Sequence, residues 1–204
     1  MIYDISQELF SCSVYPGDPA PVRKPLQSME AGDLYNLTAL SLCAHNGTHV
    51  DAPAHFIKEG KTVDELDLAA LFGACLVVRA EGDLTAAHAT ALLAQAADAR
   101  CERLLIAGNA TVTEEAAAVL ADGRASFSLR LVGVESQSVG PLDAPMATHK
   151  LLLGAGILLL EGLRLARVPE GVYLLSALPL NLGGCEGAPC RAALITYDDR
   201  VLTR

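Results

Sequence analysis

The stretch from residue 74 to residue 107 reads ACLVVRAEGDLTAAHATALLAQAADARCERLLIA. It contains two apolar runs of strand length, Ala74 to Arg79 and Arg103 to Ala107, on either side of an alanine-rich run from Thr85 to Ala99. Because alanine has the highest helix propensity and threonine is a suitable N-cap, the central run predicts a helix capped by Thr85. A strand, a helix and a strand in succession indicate a βαβ unit.

The same alternation continues towards the C-terminus. A second helix is predicted over Thr113 to Leu120, with Thr113 as its N-cap, and a third over Ala144 to Leu153, ending at Gly154. Residues 1–46 contain turns and strand-like runs but little helical pattern. We therefore expect an α/β fold with a mixed sheet, to which the N-terminal part adds antiparallel strands. The remaining predicted strands are Leu131 to Glu135, Gly156 to Glu161, Gly171 to Leu178 and Arg191 to Tyr197.

Composition restricts the classes of function. The length of 204 residues predicts a single domain over 1–204. Because 51% of the residues are apolar and only 19% are charged, part of the apolar surface is expected to be covered by a second copy of the chain, which favours a homo-oligomer. The net charge of −9 argues against nucleic acid and anionic membranes as partners. No stretch near the N-terminus has a basic start followed by an apolar run, the pattern expected of a secretory signal. The most apolar run, Leu151 to Leu160, is about half the ~20 residues that span a bilayer. We expect a cytoplasmic protein.

The six cysteines are scattered and form no Cys-x-x-Cys pair. In a cytoplasmic protein this pattern indicates small buried apolar residues rather than disulfides or structural zinc ligands. Two positions are weaker candidates for a functional role, Cys43 near a metal and Cys185 in a pocket lining.

Three of the five histidines lie in one run, His45-Asn46-Gly47-Thr48-His49-Val50-Asp51-Ala52-Pro53-Ala54-His55. If the run were helical, His45 and His49 would lie one turn apart and could chelate zinc. However, Gly47, the β-branched residues and Pro53 oppose a helix.

An extended conformation fits the run better. It places the odd-numbered residues, including the three histidines and Asp51, on one side of a strand. A straight strand would separate His45 from His55 by about 33 Å, which is too far for one site. The chain must therefore bend, and Gly47 and Pro53 are suitable positions.

Two further candidate ligands, His149 and Glu161, lie downstream. Glu161 ends a predicted apolar strand, where a carboxylate costs free energy unless it is paired or bound to a metal. A metal ligand, a surface residue and a salt bridge to Arg164 all fit this position. His88, within the predicted alanine-rich helix, is expected to be exposed or to cap the helix rather than to bind metal.

These motifs resemble the cyclase family of metal-dependent hydrolases, which includes bacterial kynurenine formamidases and isatin hydrolases. The resemblance covers most of the chain, and its central histidine motif is specific. It extends to Tyr15-Pro16-Gly17-Asp18, Thr148-His149-Lys150-Leu151-Leu152 followed by Glu161, Pro179-Leu180-Asn181-Leu182-Gly183-Gly184 and Gly187-Ala188-Pro189-Cys190-Arg191.

The resemblance implies a site for two divalent metal ions, usually zinc and in some members manganese. Matched to the family's metal ligands, His45 and His49 would bind one ion and His149 the other. Asp51 and Glu161 would bridge both ions. The implied fold is a compact α/β domain with a mixed, barrel-like β-sheet flanked by helices, of the swivelling β/β/α type. Dimers or tetramers are usual.

The resemblance also implies the reaction. His55 matches the family's acid/base histidine, which is not a primary ligand. The chain has no tryptophan, and Tyr15 would replace the aromatic residue that contacts substrate near the Pro-Gly motif.

The implied substrate is a small amide, above all an aryl formamide such as N-formylkynurenine in tryptophan catabolism. Hydroxide would be the nucleophile, because a bound metal lowers the pKa of its water from 15.7 towards ~7. His55 would then pass a proton to the leaving nitrogen. Opening of a cyclic amide or lactone, as in isatin hydrolysis, and metal binding without catalysis remain alternatives.

Overall fold

Thirteen strands and four α-helices make up the regular structure of residues 1–123 and 127–196, which are the residues described by the computed structural model. The helices are α1 (Leu68–Leu71), α2 (Ala86–Asp98), α3 (Glu114–Gly123) and α4 (Met146–Gly154). The strands are β1 (Ile2–Asp4), β2 (Val22–Gln27), β3 (Leu37–Ser41), β4 (His49–Asp51), β5 (Phe72–Arg79), β6 (Gly82–Leu84), β7 (Arg103–Ala107), β8 (Ala110–Val112), β9 (Leu131–Val134), β10 (Leu158–Glu161), β11 (Gly171–Ser176), β12 (Gly187–Pro189) and β13 (Ala193–Thr196).

Nine of these strands form one curled, mixed sheet in the order β1-β13-β11-β5-β7-β9-β10-β4-β12. The four central strands β5, β7, β9 and β10 run parallel, and every other neighbouring pair is antiparallel. The expected α/β fold with a barrel-like mixed sheet is therefore confirmed. Two smaller sheets, the antiparallel pair β2–β3 and the parallel pair β6–β8, complete the strand pairing among the described residues.

The predicted helices and strands match the structure closely. Thr85 caps α2, and Thr113 Oγ1 accepts a hydrogen bond from Ala116 N at the start of α3. α3 continues to Gly123, and α4 starts at Met146, with Pro145 at its N-cap. His88 is exposed, and its side chain forms a capping box with that of Thr85, so both expectations for it are confirmed. Tyr197, the end of the last predicted strand, lies outside the described residues.

The sheet separates two apolar cores. Along β7, Leu105 and Ala107 face the concave side with Val50, while Leu104 and Ile106 pack under α2, α3 and α4. This alternation follows from the two-residue period of a strand that is covered on both faces. It also explains why the central strands are almost wholly apolar.

No helix in the described part of the chain is long and apolar enough to cross a membrane. The cytoplasmic location and the single domain over 1–204 stay predictions.

Candidate metal centre

The site is built on β4, which lies between β10 and β12 in the large sheet. The antiparallel register places His49 opposite Glu161, and Asp51 between Leu159 and Gly187. Val50 points into the concave core, so the period of the strand turns His49 and Asp51 to the other face, where α4 carries His149.

The histidine run is extended and bent, as the sequence indicated. Gly47 has a φ of +66°, in the left-handed region that favours glycine, just before β4. After β4, a 3₁₀ turn begins at Pro53 and ends at His55. This turn brings the rings of His55 and His45 to a centroid distance of 4.1 Å, so the helical alternative for the run is wrong.

The five predicted ligands converge. His49 Nε2 lies 3.5 Å from Asp51 Oδ1 and 3.3 Å from Glu161 Oε2. On the other side, His149 Nε2 lies 3.6 Å from Asp51 Oδ2 and 3.2 Å from Glu161 Oε1. His45 Nδ1 is 2.9 Å from Asp51 Oδ1. Two groups of donors result, His45–His49–Asp51 and Asp51–His149–Glu161, and they share Asp51.

This donor set fits a divalent cation. Two ligands at the usual 2.0–2.1 Å from a tetrahedral zinc ion are about 3.3 Å apart, close to the separations between His49, His149 and the two carboxylates. Asp51 is fully buried, and its Oδ2 has no hydrogen-bond partner. A buried carboxylate oxygen without a partner is costly unless a cation binds it. Imidazole and carboxylate together are suited to zinc or manganese.

Glu161 is part of this cluster and not a surface residue. Its side chain is 3% exposed, and its Oε1 accepts a hydrogen bond from Val139 N at 2.7 Å. Arg164 donates instead to Gln7 Oε1 and to the carbonyl of Leu163. The surface position and the salt bridge to Arg164 are therefore both excluded.

The carboxylates control the protonation of the histidines. Burial favours the neutral ring of His45, but the hydrogen bond and the charge of Asp51 outweigh burial and raise the pKa of His45 to about 9. Burial is likewise outweighed at His49 and His149, where Glu161 and Asp51 raise the pKa of each ring. Burial would raise the pKa of Asp51, but the neighbouring histidines, His45 first, lower it.

His55 behaves differently from the other three histidines. It belongs to neither donor group, and no group of the described chain forms a hydrogen bond with its ring. Burial, together with the nearby rings of His45 and His149, lowers the pKa of His55 despite the charge of Asp51. At neutral pH its ring is therefore a free base that faces the cavity.

A cavity of about 380 Å³ opens over these residues. This volume is within the range of small-molecule sites. Tyr15 lines it and donates through its hydroxyl to the carbonyl of Leu142 at 2.6 Å. Cys43 also lines it, with Sγ 3.7 Å from Asp18 Oδ2. Cys185 is not among the lining residues described and packs beside Val63.

Sequence reasoning missed several residues of this cavity, Phe56 and Glu186 among them. The ring of Phe56 contacts His55 edge to face and His149 at a tilt, with ring centroids 4.3 Å and 4.7 Å away. Glu186 places Oε1 3.3 Å from His45 Nε2. The only available signal for Glu186 was its position directly before the motif Gly187–Arg191, because its partner is remote in sequence.

Comparisons with known proteins identify the family. The family model described as "Putative cyclase" matches residues 3–141. The kynurenine formamidase of Paracidovorax citrulli (strain AAC00-1) is 32% identical over 213 residues, covering 96% of this chain and 97% of its own length.

Two solved structures agree with the fold. One, a predicted metal-dependent hydrolase from Bacillus stearothermophilus, has a TM-score of 0.76 at 28% identity and covers 95% of this chain and 97% of its own. Isatin hydrolase A from Labrenzia aggregata shares the fold, with a TM-score of 0.78 at 23% identity over 97% of this chain and 94% of its own. The resemblance that the histidine run indicated is confirmed.

Proposed function

The chain belongs to the cyclase family and is a metal-dependent hydrolase, and from this premise we propose that it hydrolyses an aryl formamide such as N-formylkynurenine. Water and the amide would yield formate and an aromatic amine. The observation that carries the proposal is the convergence of three histidines and two buried carboxylates at one cavity, which a free basic histidine also lines; of the two carboxylates, Glu161 lines the cavity and Asp51 lies beneath it. The likeness to kynurenine formamidases along nearly the whole chain favours a formamide over other amides.

The proposed cofactor is two divalent ions per chain, zinc in preference to manganese. His45 and His49 would hold one ion and His149 the other, with Asp51 and Glu161 between them. The two donor groups that share Asp51 support this count. When bound, such a cation activates water as a nucleophile at neutral pH and polarises a carbonyl.

The chain itself supplies proton transfer and substrate positioning. His55, with its lowered pKa and a ring that bonds no described group, would take a proton and deliver it to the leaving nitrogen. General acid–base catalysis of this kind contributes on the order of 10²–10⁴ in rate. Phe56 and Tyr15 would flank the aromatic part of the substrate, since both line the cavity.

A homo-oligomer, dimer or tetramer, is also proposed, and the hairpin of β2 and β3 supports it. Every residue of the two strands except Gln27 is exposed, so neither face of the hairpin is covered. An isolated two-stranded hairpin is marginally stable in water. Seven large apolar side chains of the hairpin are between 44% and 94% exposed: Val22, Leu26, Met29, Leu34, Tyr35, Leu37 and Leu40.

A second copy of the chain is the occupant that this hairpin fits. Its apolar side chains offer roughly 250–500 Å² of surface, a large share of the about 800 Å² that each partner of a stable dimer buries. Light scattering should give a multiple of the 21.3 kDa chain mass. Leu26→Lys with Leu40→Lys should yield monomers, whereas Leu68→Lys, at an exposed leucine outside the hairpin, should not. A monomeric wild-type protein would contradict the proposal.

The proposed activity is tested with purified protein that is stripped of metal and reloaded with zinc or manganese. N-formylkynurenine turnover that a chelator abolishes is the expected result. Turnover of cyclic amides or lactones instead would favour the isatin-type reaction. Two tightly bound ions with no hydrolysis of any amide or lactone would point to a metal-binding protein.

A further inference from the structure

We propose that Glu186 is a positioning residue that sets the tautomer of His45 and so makes Nδ1 the nitrogen available to a metal ion. The inference rests on the metal site proposed above. Glu186 lies at the cavity rim, with its side chain 44% exposed, and it is not a member of either donor group.

His45 has a carboxylate at each ring nitrogen. Its Nδ1 lies 2.9 Å from Asp51 Oδ1, and its Nε2 lies 3.3 Å from Glu186 Oε1. A neutral imidazole has one N–H and one lone pair, and an ionised carboxylate can only accept. If Nε2 donates to Glu186, the lone pair on Nδ1 points towards Asp51 and the other donors. This is the carboxylate–histidine–metal arrangement found in metalloproteins.

The other two histidines use the opposite tautomer. His49 Nδ1 lies 2.9 Å from the carbonyl of Gly47, and His149 Nδ1 lies 2.8 Å from the carbonyl of Pro145. Main-chain carbonyls accept N–H, so Nε2 of each ring is directed towards the carboxylates. A side-chain substitution cannot remove these carbonyls. Of the three histidines, His45 is therefore the one whose tautomer depends on a side chain.

The backbone places Glu186 for this role. Its carbonyl accepts from Ala52 N at 2.8 Å, and the next residue, Gly187, pairs with Asp51 across β4 and β12. A Cβ on Gly187 would lie 2.8 Å from His45 Cε1, so the ring rests directly against this glycine. With the ring also stacked on His55, Glu186 decides which nitrogen carries the proton.

Asp18 offers a matched control. It lines the same cavity, and its carboxylate contacts Cys43 Sγ rather than a histidine. Removing either carboxylate changes the charge of the cavity equally. Only Glu186→Ala removes the acceptor for His45, while Glu186→Gln removes the charge but retains an oxygen acceptor.

Zinc affinity measured by chelator competition tests the role. Glu186→Ala should keep the zinc stoichiometry but weaken one ion about 10–100-fold, as loss of an outer-shell partner does. Glu186→Gln should weaken it less, and Asp18→Ala should leave it near wild type. Equal losses for Glu186→Ala and Asp18→Ala, or wild-type affinity for Glu186→Ala, would overturn the proposal.

The tautomers can be observed directly by long-range ¹H–¹⁵N NMR of zinc-loaded protein with labelled histidine. We expect the proton on Nε2 of His45 and on Nδ1 of His49 and His149. A proton on Nδ1 of His45 would overturn the inference. Wild-type protein that takes up no zinc would overturn the metal site and this role together, whereas zinc uptake with an unaffected Glu186→Ala variant would overturn only the role.

Discussion

Glu161 and His49 are direct cross-strand neighbours on β10 and β4, and Glu161 Oε2 lies 3.3 Å from His49 Nε2. Glu161 ends a parallel strand, whereas His49 begins an antiparallel one, so the carboxylate and the imidazole meet where the two strand directions join. The pair links the two donor groups, since Glu161 also lies 3.2 Å from His149 Nε2.

Replacing Glu161 by Gln should remove the metal. The substitution keeps the shape of the side chain but leaves one buried carboxylate, Asp51, for three histidines. We expect a loss of affinity above the about 10–100-fold that an outer-shell partner contributes. Metal content by mass spectrometry checks this, with Asp83→Asn, an exposed carboxylate of β6, as the control. Full metal content in Glu161→Gln would exclude Glu161 as a ligand.

His55→Ala should separate catalysis from metal binding. The variant should lose on the order of 10²–10⁴ in kcat, because it lacks the proposed acid/base group, and keep wild-type metal content. His88→Ala, which affects only the capping box of α2, should retain activity. If His55→Ala loses its metal, His55 is a ligand and its proposed role is wrong.

Metal uptake should release protons near neutral pH. Despite burial, Asp51 raises the pKa of His45 to about 9 in the metal-free site, so this ring is charged at pH ~7.5, where an unperturbed histidine is about 90% neutral. Affinity should therefore fall as the pH drops and rise until the pH passes about 9. Calorimetry in buffers of different ionisation enthalpy measures the released protons. If metal uptake released as many protons at pH ~10 as at neutral pH, the protons would come from metal-bound water and not from His45.

Gly187→Ala should disturb the candidate ligand His45 without replacing any ligand. The new Cβ would lie 2.8 Å from His45 Cε1 and 2.9 Å from the carbonyl oxygen of Val50. The carbonyl belongs to the main chain of β4, which cannot easily shift to relieve the clash. Overpacking of this kind costs about 1–3 kcal/mol of unfolding free energy, and metal affinity should fall with it. Denaturant unfolding and chelator competition measure both. Gly183→Ala, whose Cβ meets only Asp64 Oδ2 at 3.8 Å, should change neither.

Arg103→Met should destabilise the fold but spare the site. The buried guanidinium donates to the carbonyls of Ala69, Ala70 and Ala74 at the start of the parallel strands, away from the ligands. Arg130 Nη1 also donates to the carbonyl of Ala69, so this acceptor keeps one donor. Loss of the three hydrogen bonds from a charged donor should cost about 1–3 kcal/mol, measured by urea unfolding. Arg167→Met, at an exposed arginine, is the control and should change stability by less than about 0.5 kcal/mol. If Arg103→Met lowered the metal affinity as much as Glu161→Gln, the prediction that Arg103 acts on stability and not on the metal site would be wrong.

The sequence by itself determined the parallel core and the bends of the histidine run. The two-residue alternation of β7, the alanine-rich α2 with its Thr85 cap and the bends at Gly47 and Pro53 are local properties. Helix propensity, capping and steric limits on φ act within a few residues, so they can be recognised without the tertiary structure.

Only the tertiary structure decided which groups meet. Strand pairing sets Glu161 opposite His49 and excludes the Arg164 salt bridge. It also brings Glu186 to His45 and leaves the β2–β3 hairpin uncovered, neither of which the sequence indicated. The physical reason is that register, burial and hydrogen-bond partners depend on contacts between segments that are distant in the chain. The type of a residue does not specify which residue lies opposite it on the neighbouring strand.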